Sequence, residues 1–141
     1  MRNIGMATQG ISRAARWLQS AERAIEDKRW DDVVYSSQMA AEHSAKAVLI
    51  SLGIDFPKEH DVSDVLLQIQ GIPNLPQWFR KELGLIADIV AELAEQRGLA
   101  GYGFEKGIDE TYFKDYAPDA FEKARWVHNL CKKFIEETFK I

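Results

Sequence analysis

Trp30-Asp31-Asp32-Val33-Val34-Tyr35-Ser36-Ser37-Gln38-Met39-Ala40-Ala41-Glu42-His43-Ser44-Ala45-Lys46-Ala47-Val48-Leu49-Ile50-Ser51-Leu52-Gly53 is the stretch that decides the fold. Val34, Ala41, Ala45, Val48 and Leu52 recur at the spacing of one helix face, so a helix is predicted over 30–52. An Asp at the start is placed to cap the first turn, and Gly53 is the residue type that ends a helix in the left-handed region. Small residues crowd its middle, which allows a neighbouring helix to approach closely.

The same period extends in both directions. Upstream, Ile11, Ala14, Leu18, Ala21 and Ile25 form a stripe over about 8–26, widened by Trp17 and Ala24, with Lys28 and Arg29 at the negative end of the helix dipole. Downstream, a connector at 54–57 leads to a short helix from Val62 to Gln70, with Ser63 or Asp61 as its cap. Gly71-Ile72-Pro73-Asn74-Leu75-Pro76 breaks the chain, and a further helix runs from Pro76 to about Gly98 on Phe79, Leu83, Ile86, Val90 and Leu93. Residues 98–116, rich in Gly and Tyr, read as an ordered but irregular loop. A last helix spans Pro118 to Phe139, with Ala120, Ala124, Val127, Cys131, Phe134 and Thr138 inward. No strand pattern competes. The expected fold is all-α: one domain over 1–141, an antiparallel up-and-down bundle of four long helices plus one short helix.

Composition agrees with that class. The chain is 46% hydrophobic and 28% charged, which is globular rather than disordered. A net charge of −4 gives weak non-specific attraction to phosphate backbones. One cysteine, Cys131, excludes an intrachain disulfide and any multi-cysteine metal site. No apolar run reaches membrane-spanning length and the N-terminal stretch lacks a signal-peptide core, so a cytoplasmic location is expected. Four Trp, seven Phe and four Tyr leave two readings open: an aromatic-rich core, or rings on a surface that another chain covers.

The second helix carries a pattern beyond periodicity. Gln38, the small pair Ala40-Ala41, Glu42, then Lys46-Ala47 and an apolar run, then Gly53 and His60-Asp61-Val62, resemble the signature of the HEPN family of small helical bundles. Trp30-Asp31-Asp32-Val33 resembles its lead-in, and the helix order matches over nearly the whole chain. The resemblance implies a homodimer. It also implies a soluble module, without a membrane segment, that partners a minimal nucleotidyltransferase-like protein in a toxin–antitoxin type of system, with nucleotide or RNA as a further ligand. The alternative that it implies is a metal-independent HEPN ribonuclease with a degenerate active site. No cofactor is implied.

In the nuclease branch an Arg, four to six residues and a His act together at the start of the last long helix. The imidazole moves a proton near neutral pH while the guanidinium stabilises the phosphorane charge. That pair is absent: Arg125 precedes His128 by only three positions, and His43 and His60 have no Arg at the required distance. Other members resembling nucleotidyltransferase partners carry an Arg-Tyr-Pro step before the last helix. Here Tyr102 stands at the Tyr position, between Gly101 and Gly103, with Arg97 upstream.

The candidate ligand- or partner-binding residues are therefore Gln38, Glu42, Lys46, Arg97 and Tyr102, and no residue is assigned a catalytic role. Glu42 and Lys46 sit at i and i+4 with the acid first, and Gln38 lies one turn earlier on the same face. That ladder reads either as a solvated or interface structure or as a ligand face. His43, His60 and His128 read as hydrogen-bonded, capping and packing residues, and their separation offers no zinc spacing. Cys131 reads as a small core hydrophobe. Tyr102, Phe104, Tyr112, Phe113 and Tyr116 either staple the irregular segment to the bundle or stack on a partner.

Overall fold

The computed structural model describes residues 3–140; Met1-Arg2 of the N-terminal stretch and Ile141 lie outside them. The described residues form helices α1 (Ile4–Glu26), α2 (Trp30–Leu52), α3 (Ser63–Gln68), α4 (Gln77–Tyr102) and α5 (Ala117–Phe139), and they contain no strand. The fold is all-α, as the periodicity predicts.

α2 organises the rest. It packs on α1, α4 and α5. Ser36, Ser37, Ala40, Ala41, Ser44, Ala45, Ala47 and Ser51 are all buried, so α2 is enclosed nearly all round rather than along the single stripe read from its sequence. Small side chains permit this because backbones can then approach closely without leaving voids. α1 and α2 form an antiparallel hairpin: a Cβ added at Gly10 would lie 3.2 Å from Ala47 Cβ, while Trp17 meets Tyr35 near the other end. α4 and α5 also run antiparallel, with Phe79 stacked on Phe134 at 4.4 Å and Glu92 bonded to Lys123 about three to four turns away.

Several expected boundaries move. α1 starts at Ile4, because Asn3 Oδ1 accepts from Met6 N–H at 2.9 Å and caps the helix. The Asp cap expected for α2 does not form: Arg29 is the N-cap, and Asp31 and Asp32 lie in the first turn, where they complement the dipole. Gly53 does terminate α2, with φ 73°. α3 is shorter than predicted and passes into a 3-10 turn, Ile69–Gly71. α4 continues past Gly98 to Tyr102, and 103–116 contains two 3-10 turns, Gly103–Lys106 and Glu110–Phe113. Thr138 is exposed, while Phe121, His128 and Ile135 join the buried face of α5. The Arg80 guanidinium donates to the carbonyls of Gln70, Ile72 and Leu75, which ties the 69–76 connector to α4.

Candidate functional site

The polar ladder of α2 converges on Glu42, with Gln38 Oε1 left buried and without a hydrogen-bond partner. Glu42 is 4% exposed, and its carboxylate gathers three partners. Gln38 Nε2 donates to it at 2.9 Å, Lys46 Nζ donates at 2.8 Å, and His60 Nδ1 lies 2.7 Å away. Burial alone would raise the Glu42 pKa, but the bonds from Lys46, Gln38 and His60 outweigh it and hold the carboxyl below its ordinary value. His60 comes from the connector after α2, so this cluster fastens that connector to the middle of the helix. Lys46 also lies 5.7 Å from the Phe56 ring centroid. The sequence places Gln38, Glu42 and Lys46 on one face, whereas His60 reads there as a capping or packing residue and not as a partner of Glu42. The signal for its role was the His60-Asp61-Val62 step within the same motif.

Arg97 belongs to a second cluster. Its guanidinium stacks 4.9 Å over the Tyr35 ring, and Nη2 donates to Tyr35 Oη at 2.9 Å. Tyr35 meets Trp17 edge-on, and Arg13 covers the other part of Trp17 at 5.2 Å. A Cβ at Gly101 would come within 3.3 Å of the Tyr35 ring, so glycine is what lets α4 lie against it. Arg97 Nε and Trp17 Nε1 are buried without hydrogen-bond partners. The five candidate residues thus divide: Gln38, Glu42 and Lys46 bond to one another, Arg97 is packed on Tyr35, and Tyr102 stands in solvent.

The segment between α4 and α5 separates its aromatic residues. Phe113 is buried, and Tyr116 Oη donates to Glu92 at 2.7 Å. Glu92 also accepts from Lys123 at 2.8 Å, and the two bonds keep its carboxyl low against the opposing effect of burial. Those two rings are the staple. Tyr102, Phe104 and Tyr112 are 57%, 71% and 61% exposed. Isolated exposed rings are ordinary, and these three all lie within 102–112.

The histidines do not assemble a proton-transfer site with an arginine. Arg125 is exposed and bonded to Glu122, whereas His128 is buried with Nδ1 3.2 Å from Ser44 Oγ. Burial holds both His128 and His43 below the usual imidazole range. Cys131 is fully buried, which pushes its thiol up to about 12. No group of His, Cys, Asp or Glu among the described residues could hold a metal ion. No helix among them is long and apolar enough to cross a membrane.

The model of the HEPN domain matches residues 7–134. The chain belongs to the HEPN family. Its α2 cluster is formed from the HEPN-like residues Gln38, Glu42, Lys46 and His60. A relative from Methanocaldococcus jannaschii, named "Putative toxin MJ1304", is 32% identical over 143 residues, covering 97% of this chain and 93% of that protein. No solved structure matches the chain.

Proposed function

We propose that this HEPN domain is a non-catalytic, dimeric binding module of the cytoplasm that docks a nucleotidyltransferase-like protein in a toxin–antitoxin type of system. The observation that carries this reading is the exposed trio Tyr102, Phe104 and Tyr112 on a bundle in which, among the described residues, no histidine hydrogen-bonds an arginine. Aromatic rings with a polar tip are the side chains most used to anchor a partner, since they bury a large area at small entropic cost. The relative named as a toxin supports the same kind of system. Gln38, Glu42 and Lys46 serve in this reading to hold the scaffold, and Arg97 to position Tyr35 and the end of α4.

The test is co-expression with the protein of the adjacent reading frame. A stable complex with a minimal nucleotidyltransferase is expected, and it should be lost in the Tyr102→Ser/Phe104→Ser/Tyr112→Ser variant. A complex that forms equally well with this variant would remove the aromatic surface from the proposal.

One observation favours a second reading, a degenerate ribonuclease. Arg97 and Tyr102 are separated by four residues, so a phenol stands where the nuclease spacing would place an imidazole. A phenol exchanges protons poorly near neutral pH, which is why this reading ranks second. Cleavage of labelled RNA that disappears in Arg97→Ala would establish it.

A further inference from the structure

Nothing packed around Gly98 requires a glycine. The residue is exposed and lies inside α4, where glycine weakens a helix relative to alanine. A Cβ added there would meet nothing within 4 Å, whereas at Gly101 it would press on the Tyr35 ring and at Gly103 on Ile108. What the missing side chain leaves is room. Gly98 lines a groove of about 370 Å³ between the C-terminal part of α4 and the 3-10 turn Gly103–Lys106. That volume lies toward the lower end of what ligand pockets span, roughly 300–1,000 Å³.

The lining suits a cation. Glu95, Leu99 and Tyr102 follow one another at i, i+4 and i+7 along one face of α4, and the 3-10 turn brings Glu105 to the same groove. Glu95 and Glu105 are exposed, and neither forms an ion pair among the described residues. The Tyr102 ring is 57% exposed, and among the described residues no cation or second ring packs on it. The last turn of α4 contains no basic residue, so the negative end of its dipole lacks a cation as well. Among the lining residues Lys106 alone opposes the two carboxylates.

This combination selects a guanidinium over an ammonium. The guanidinium plane lies flat on an aromatic face while its edges donate to carboxylates, and it gives up water more readily. The surroundings suit a protein that presents it. Phe104 and Tyr112 are exposed on the same stretch, and so are Asp109, Glu110 and Asp115, which complement a basic surface. We propose that the groove between Glu95, Tyr102 and Glu105 receives an arginine side chain of a partner protein, laid on the Tyr102 ring between the two carboxylates. This rests on the partner-docking reading given above and adds to it the chemistry of the partner's contact.

Amide NMR spectra of the purified chain, titrated with N-acetylarginine amide to millimolar concentration, test the groove by itself. Saturable shifts are expected at Gly98, Leu99, Gly103 and Glu105, with an affinity about fivefold or more above that of neutral N-acetylglutamine amide. Glu95→Gln/Glu105→Gln should abolish them and leave the rest of the spectrum in place. Gly98→Leu should abolish them by filling the groove, while Gly84→Leu, at another glycine of α4 with open space about it, should not. Equal binding of the glutamine analogue, no shift, or shifts that survive Glu95→Gln/Glu105→Gln overturn the proposal. The complex with the nucleotidyltransferase-like protein separates it from the reading on which it rests. Glu95→Gln/Glu105→Gln should weaken that complex about tenfold. A complex lost in the triple aromatic variant but indifferent to both Gln changes overturns the arginine contact alone. Absence of any complex, with the arginine analogue still bound in the groove, overturns the nucleotidyltransferase reading and upholds the groove's preference.

Discussion

Two regions of this molecule reverse the usual placement of side chains. In the middle of α2 a carboxylate is 4% exposed and surrounded by an amide, an ammonium and an imidazole. At the end of α4 and on the segment after it, three aromatic rings are more than half exposed. The first arrangement is tolerable because every charge has a partner, and it holds the connector bearing His60 against α2 at some cost in desolvation. The second stabilises the isolated chain little, since those rings leave water only when something covers them. Polar atoms inside therefore report on the scaffold, and apolar atoms outside report on a partner.

Breaking the inner region should have the largest effect on stability. Glu42→Ala leaves Lys46, Gln38 and His60 without their common acceptor and should cost about 3 kcal/mol, measured by urea unfolding. Acid should act on the same region. The Glu42 carboxyl is held below its ordinary 4.5, so its contribution is complete above about pH 4.5 and lost as pH falls through the lower folded value. His43 and His128 lie below 6.5 when folded, so the unfolded chain takes up protons more readily. Stability should accordingly be level between about pH 7 and 8, begin to fall near 6.5 and fall further below 4.5. Above about pH 9 it should fall again, as the unfolded chain ionises the thiol that burial of Cys131 keeps protonated. A urea series across pH reads this directly, and His128→Gln should flatten the step near 6.5. His60→Ala removes one partner at the exposed edge of the cluster and should cost about 1 kcal/mol. Phe104→Ser should change stability by less than about 0.5 kcal/mol while weakening the partner complex. A large stability loss from Phe104→Ser would erase the contrast between the two regions.

α2 was the most legible element, bounded by Trp30 and Gly53 as its sequence implies. Its pattern is locally consistent, with Asp in the first turn, small residues in the middle and a left-handed glycine at the end. α4 is harder because Gly98 reads as its end and Gly101 as part of the irregular loop, yet Gly101 is helical and lies against the Tyr35 ring. A contact between residues 66 positions apart in sequence decides that boundary, and no local rule contains it. The expected start of α1 near residue 8 falls four residues short, because the Asn3 cap lies ahead of the apolar stripe from which the helix is read. Among the candidate site residues, the alignment of Gln38, Glu42 and Lys46 followed from helical spacing. Their burial did not, because it depends on what the other helices and the His60 connector bring over them. The division of the connector aromatics into Phe113 and Tyr116, which are held, and Tyr102, Phe104 and Tyr112, which are not, was likewise invisible in composition.

Cys131 sits on α5 with no surface in water, and its thiolate is suppressed as well. A thiol-reactive dye can meet it only while α5 has lifted from the bundle and the sulfur has become wet. The rate at which the native chain consumes dye is thus a stopwatch for whole-molecule breathing, built into the sequence and readable without altering a single residue.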